Sequence, residues 1–254
     1  MRRKVIIIPA RYGSTRFPGK VLADLEGKPL IRWVYEEARK VPGLDGVFVA
    51  TDDPRILECI TGFGGEAVLT GSHHPSGTDR LAEAAALLAL SPGDLVINLQ
   101  GDQPIFPLQV MGQLLAVLER DCSAVMATPA VRLTAMSLAQ SPHVVKVVMN
   151  HRGRALYFSR SPLPYWREGE KPYFFKHIGI YAYRVEFLQE FVTLPPGPLE
   201  QAEKLEQLRA LEYGYPIQVV EAVGDTLEVD TPEDLLRVAE YLRLNRTNRQ
   251  ENRG

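Results

Sequence analysis

The run Val5-Ile6-Ile7-Ile8-Pro9-Ala10-Arg11-Tyr12-Gly13-Ser14-Thr15-Arg16-Phe17-Pro18-Gly19-Lys20 decides the fold. Four consecutive β-branched residues with no polar alternation read as a strand covered on both faces, as parallel sheets require. The loop that follows leaves the C-terminal end of that strand, where open α/β sheets bind ligands. It holds Gly13 and Gly19, the hydroxyls of Ser14 and Thr15, and the basic residues Arg11, Arg16 and Lys20. Glycine lets backbone N–H groups approach phosphate oxygens, and Arg16 and Lys20 add charge. The spacing is neither G-x-G-x-x-G nor G-x-x-x-x-G-K-[ST], which argues against a dinucleotide oxidoreductase and a P-loop NTPase. A merely solvated loop would not need this position, these glycines and this charge together.

Outward from that loop, strands and helices alternate. Pro29 opens a helix through Leu30, Trp33, Val34, Ala38 and Val41. Gly46 to Ala50 is a strand, Asp53 caps a helix begun by Pro54, and Glu66 to Leu69 is a short strand. A helix near Arg80 to Leu90, a strand Leu95 to Gln100, a helix Pro107 to Glu119 and a strand Ala124 to Pro129 follow. Repeated β-α-β units predict a doubly wound, mostly parallel sheet. After Val131 the pattern changes. Val144 to Met149 and Arg154 to Phe158 flank the turn Asn150-His151-Arg152-Gly153, Ser161 to Tyr173 is irregular, and His177 to Tyr183 is a strand. Residues 131–184 therefore read as an insertion whose strands form an antiparallel patch or a subunit contact. Residues 1–130 and 185–244 form the α/β body. Its second part carries helices over 185–191 and 199–213, a strand over 217–222, and a last helix capped by Thr231 with Pro232 and Asp234 behind it. The polar residues 245–254 read as a disordered tail.

Hydrophobic residues make up 45% of the 254-residue chain, enough for a real core, and the net charge is −2. A near-neutral chain has no global field for nucleic acid or an anionic membrane, so an anionic ligand must be met by local cations. The initial apolar run is too short for a signal peptide, and nothing approaches a membrane span. Two cysteines, Cys59 and Cys122, fit a reducing, cytoplasmic setting.

Chemistry concentrates at strand ends. Leu99-Gln100-Gly101-Asp102-Gln103-Pro104 places a carboxylate at the sheet edge, where a phosphate-bound Mg²⁺ would sit. Asp230 precedes the Thr231 cap and is free to point elsewhere, so Asp102 and Asp230 can converge on one metal. Ser72-His73-His74-Pro75-Ser76-Gly77-Thr78-Asp79-Arg80 pairs two histidines, but no ligand set completes a zinc site. It reads as a polar loop facing a ligand.

These segments, taken in order with Val145-Lys146-Val147-Val148, Ala155 to Arg160, His177 to Tyr181, Leu205 to Arg209 and Asp230 to Asp234, resemble the 3-deoxy-manno-octulosonate (Kdo) cytidylyltransferase family to about Leu244. The resemblance implies a Mg²⁺-dependent cytoplasmic homodimer of nucleotide-diphospho-sugar transferase fold. It would join CTP to Kdo, giving CMP-Kdo and pyrophosphate for lipopolysaccharide synthesis. It further implies that Arg16 and Lys20 stabilise the triphosphate and transition state and that Asp102 and Asp230 hold Mg²⁺. Arg11, Ser14, Thr15, Ser76, Gly77, Thr78, Arg80 and Gln100 would surround the nucleotide. Arg160, His177, Tyr181, Glu206 and Gln207 would meet the sugar. Read without the resemblance, His177 is a satisfied core histidine, Tyr181 a sheet-packing aromatic and Glu206 an exposed helix charge. One departure is Gln103, where the family usually has an acid. Three rivals stand: a cytidylyltransferase for another sugar acid, such as 8-amino Kdo; a sugar-1-phosphate nucleotidyltransferase, whose G-G-x-G-[ST]-R loop is lacking; and a catalytically dead nucleotide-binding regulator.

Overall fold

The computed structural model describes residues 2–13, 16–168 and 173–251. In chain order the first half runs β1 (Lys4–Ala10), a 3-10 turn (Lys20–Leu22), β2 (Asp24–Leu25), β3 (Lys28–Pro29), α1 (Leu30–Ala38), β4 (Gly46–Thr51), α2 (Pro54–Gly62), β5 (Glu66–Leu69), α3 (Gly77–Leu87), β6 (Leu95–Asn98), α4 (Leu108–Arg120) and β7 (Met126–Leu133). There follow α5 (Met136–Gln140), β8 (Lys146–Met149), β9 (Ala155–Ser159), β10 (Phe174–His177), β11 (Tyr181–Arg184), α6 (Val185–Phe191), α7 (Pro198–Glu203), α8 (Gln207–Glu212), β12 (Ile217–Glu221) and α9 (Pro232–Glu251).

The β-branched run behaves as its pattern predicts. Val5 to Ile8 are wholly buried, and the strand's alternation sends Ile6 and Ile8 into one core and Val5 and Ile7 into another. The first core takes α1, α2 and α4, and the second takes α3, α6 and α8. Helices thus cover both faces of the sheet. β1 pairs parallel with β4 on one side and β6 on the other, so the order reverses at β1 and a crevice opens beyond its C-terminal end.

One ten-stranded sheet runs through the molecule in the order β5-β4-β1-β6-β11-β7-β10-β8-β9, with β12 parallel on β7. β5-β4-β1-β6 is parallel, and β6-β11-β7-β10-β8-β9 is antiparallel. The strands of 131–184 are continuous with the main sheet, for β11 lies between β6 and β7.

Three elements differ from expectation. The strand expected over 177–183 is interrupted at 178–180. Thr128 Oγ1 lies 2.8 Å from the Ile180 carbonyl and 3.2 Å from that of Ile178, so a β7 hydroxyl satisfies the backbone that the interruption frees. The helix expected over 199–213 is two helices, because Lys204 adopts a left-handed conformation (φ 53°, ψ 48°) that ends α7. The expected tail is helical at its start, as α9 continues to Glu251; residues 252–254 lie outside the described residues. The Asp53 cap, Pro54 at the first helical position and the hairpin turn at Asn150 are found as expected.

Candidate active site

The first loop folds back on itself. The Gly19 amide donates to the Tyr12 carbonyl at 3.0 Å with φ +70°, and a Cβ there would press on the Tyr12 ring, so glycine is required. Phe17 then packs beside Leu25, Leu30, Val229 and Val238, a small core that holds α9 against the loop. This packing draws Asp230 to Arg16 and Lys20.

A second constraint places Asp102. The Val229 amide donates to the Asp102 carbonyl at 2.9 Å, and the Leu227 amide to that of Ile105 at 3.0 Å. The turn after β6 is thereby tied to the segment before α9. Thr231 caps α9 as expected, its Oγ1 accepting from the Asp234 amide at 3.2 Å, while Asp234 Oδ2 accepts from the Asp230 and Thr231 amides at 3.0 and 2.9 Å, which leaves the Asp230 carboxylate out of the cap. Lys20 Nζ donates to Asp102 Oδ2 at 2.5 Å and to Asp230 Oδ1 at 3.1 Å, and Arg16 donates to the same Asp230 oxygen at 3.0 Å. Burial opposes the charge on Lys20, yet the two carboxylates outweigh it and hold its pKa above the ordinary lysine value.

The crevice beyond β1 and β6 is a cavity of about 390 Å³. Arg11, Arg16 and Lys20 reach it from the first loop, Ser76, Gly77 and Arg80 from the start of α3, and Gln100, Asp102 and Asp230 from the other strand ends. Two of these have structural duties as well. Ser76 Oγ caps α3, accepting from the Thr78 and Asp79 amides. Arg80 is buried and donates to Thr70 Oγ1 at 2.5 Å, with Asp52 Oδ1 at 3.1 Å. Thr78 is turned away from the cavity and donates to Glu206 Oε2 at 2.5 Å. Ser14 and Thr15 lie outside the described residues.

That Thr78–Glu206 bond joins the nucleotide cavity to the residues expected to meet the sugar. Burial raises the Glu206 pKa, against hydrogen bonds from Thr78 and Ser76 and the nearby Arg209 charge. Gln207 is buried, and its Nε2 finds no described partner. His177 is buried between Phe158 and Tyr181, with ring centroids at 5.0 and 5.4 Å, and its Nε2 meets Thr128 Oγ1 at 2.9 Å. Burial lowers its pKa to about 3. It borders a different cavity of about 440 Å³, shared with Lys176, Gly179 and Glu228. Arg160 is fastened to the carbonyls of Glu203, Pro142 and Lys204.

Sequence reading missed two residues here. Glu228 accepts from Gln103 Nε2 at 2.7 Å, restoring a carboxylate beside Asp102 where Gln103 withholds one. Its signal was an acid two places before Asp230. Glu203 accepts from Ser159 Oγ and the Arg160 amide, and only its neighbourhood to Glu206 could have marked it.

A phosphate-type loop and two converging carboxylates at the switch point of a doubly wound sheet define a nucleotidyltransferase. The chain belongs to the cytidylyltransferase family, whose model matches residues 5–222. It is 53% identical to the 3-deoxy-manno-octulosonate cytidylyltransferase of Syntrophobacter fumaroxidans, over 94% of this chain and 97% of that protein. It is 52% identical to the 8-amino-3,8-dideoxy-manno-octulosonate cytidylyltransferase of Shewanella pealeana, over 91% and 94%. Among solved structures, CMP:2-keto-3-deoxy-manno-octonic acid synthetase complexed with CTP superposes with a TM-score of 0.91 at 45% identity, covering 96% of this chain and 99% of that one.

Proposed function

We propose that this enzyme transfers CMP from CTP to the anomeric hydroxyl of Kdo, releasing pyrophosphate and supplying lipopolysaccharide synthesis. One observation carries the reading: Asp102, Asp230, Lys20 and Arg16 converge at one end of a cavity at the sheet's switch point. The sugar hydroxyl oxygen bonds to the α-phosphorus as the bond to the β-phosphate oxygen breaks, and the pyrophosphate leaves in line. Charge grows on the leaving and non-bridging oxygens, so positioning and fixed cations do most of the work. Lys20 and Arg16 exchange carboxylate partners for triphosphate oxygens. Glu206 and Gln207, beside Thr78, offer polar contacts to the sugar, and Arg160 offers a cation to its carboxylate.

The donor set suits Mg²⁺. Among the described residues, Asp102 Oδ1 and Asp230 Oδ2 accept no hydrogen bond, and no cluster of three or more potential metal-ligating side chains exists. Mg²⁺ is commonly held by one or two carboxylates plus substrate phosphates and water. Asp102 and Asp230 would hold it, and it would supply Lewis-acid stabilisation and a template for the triphosphate.

A homodimer is part of the proposal. Leu156, Tyr165 and Tyr173 expose 61%, 87% and 45% of their surface within 131–184, apolar area of the kind a second copy covers. A cytoplasmic setting without nucleic-acid partners is proposed from the free Cys59 and Cys122 and the near-zero net charge. No helix among the described residues is long and apolar enough to cross a membrane.

The relative acting on the 8-amino sugar is nearly as similar as the one acting on Kdo, so that sugar is the second reading. Pyrophosphate release from CTP and Mg²⁺ with each sugar acid, and from the other nucleoside triphosphates, tests both. Release with CTP and Kdo is expected, and faster release with the 8-amino sugar would transfer the assignment to it. No release with any sugar acid would overturn the reaction.

A further inference from the structure

We propose that His74 reads the base of the nucleotide, and that Glu83 sets its ring to prefer cytosine over uracil. The inference rests on the cytidylyltransfer reading and adds a specificity-determining residue to it. His74 lines the nucleotide cavity although its side chain is only 9% exposed. Its Nε2 is hydrogen-bonded to Glu83 Oε2.

That arrangement is built. Glu83 Oε2 also accepts from the Gly71 amide at 2.8 Å. A Cβ on Gly71 would lie 2.5 Å from the His73 ring, so glycine is what admits His73, which packs on His74 with centroids 4.6 Å apart. Pro75 biases the His74 backbone toward an extended conformation. The hydrogen bond from His74 is the main cause holding the Glu83 pKa below the ordinary glutamate value, so the carboxylate is a pure acceptor. His74 Nε2 must then carry the proton, and in the neutral ring Nδ1 is an acceptor.

The triphosphate belongs at the cationic end of the cavity, with Arg16 and Lys20. The base falls to the remaining lining. There Ser76 Oγ is committed to its cap and to Asp79, and Arg80 spends three of its five N–H groups on Thr70, Gly71 and Asp52. Gln100 turns its Nε2 to Asn98 Oδ1 at 3.4 Å, leaving Oε1 as an acceptor close to Gly77. Among the described lining side chains, the acceptors left for the base are Gln100 Oε1 and, in the neutral tautomer, His74 Nδ1, beside the guanidinium donors of Arg11 and Arg80. Cytosine presents a 4-amino group with two N–H donors, whereas uracil presents a carbonyl acceptor that both acceptors would repel.

The test is the ratio of kcat/KM for CTP to that for UTP, both measured on one preparation so that partial misfolding cancels. His74→Ala should lower the ratio about tenfold, the worth of one hydrogen bond, mainly through a raised KM for CTP with KM for the sugar acid held. Glu83→Gln keeps the ring but frees its tautomer, and should lower the ratio about threefold. Should His74→Ala fail to fold, Glu83→Gln decides. A wild-type ratio in the folded variants overturns the inference, whatever happens to total activity. Absence of turnover in the wild type would instead overturn the cytidylyltransfer reading. In that event calorimetric titration of wild type and variants with CTP and UTP gives the same ratio from binding, with the same expected and overturning results.

Discussion

Gln103 Nε2 donates to Glu228 Oε1 at 2.7 Å, and that bond holds a third carboxylate within reach of the charges of Asp102 and Asp230 but outside the pair proposed to hold Mg²⁺. Gln103 is almost wholly buried. Desolvation raises the Glu228 pKa even though part of the residue is open to solvent, the Gln103 bond opposes it, and the charges of Asp102 and Asp230 raise it further. A neutral amide is the side chain that lets these carboxylates coexist. Gln103→Glu should therefore destabilise the fold by about 1–2 kcal/mol, held down by the solvent-open side of Glu228. The double variant Gln103→Glu with Glu228→Gln restores an acid–amide pair and should recover most of that loss. Urea denaturation of Gln103→Glu, Glu228→Gln and the double variant measures the coupling; a double variant as unstable as Gln103→Glu would refute it.

Asp102 is tied to the α9 segment through its backbone carbonyl, so its side chain can be removed without undoing that tie. Asp102→Ala should lower kcat for pyrophosphate release by about a hundredfold or more, while the melting temperature stays near wild type. Unchanged kcat would remove Asp102 from the reaction. Chelation of Mg²⁺ should abolish release in the wild type and have no effect on folding.

Much of this was legible from local pattern. Val5 to Ile8 announced a strand covered on both faces, and Asp53-Pro54 and Thr231 to Asp234 announced helix starts, because caps and apolar runs act within a few residues. The convergence of Asp102 and Asp230 was readable only as a possibility. It depends on the Val229–Asp102 bond and on Phe17 packing near Val238, both long-range. Lys204 looked helical because its left-handed turn carries no glycine. The break after His177 was hidden because the group that satisfies it, Thr128, belongs to another strand.

Arg160 is held by three backbone carbonyls, yet among the described residues N–H groups on both terminal nitrogens find no partner. These can take the carboxylate of a sugar acid. Arg160→Ala should raise KM for the sugar about tenfold and KM for CTP far less. Equal rises in both would show that Arg160 only braces the Glu203 and Lys204 backbone.

His177 gives the fold a dependence on pH whose sign follows from its burial. Its pKa is lowered from 6.5 to about 3 in the folded chain, first by burial and then by the Lys176 charge. Below pH 6.5 the unfolded chain binds a proton that the folded chain refuses, so stability rises with pH across that range. The contribution is fully present above pH 6.5 and is lost as pH falls toward 3, at a limiting slope of about 1.4 kcal/mol per pH unit. Thr128 selects the ring nitrogen that carries the proton. With Thr128 Oγ1 donating to the Ile180 carbonyl, the oxygen is left to accept from His177 Nε2. His177→Gln keeps an N–H for Thr128 but carries no titratable group. Melting temperatures between pH 5 and 8 should therefore fall less steeply on the acid side for His177→Gln than for the wild type. Parallel curves for the two proteins would mean that His177 takes up its proton in the folded state and that burial does not hold the imidazole neutral.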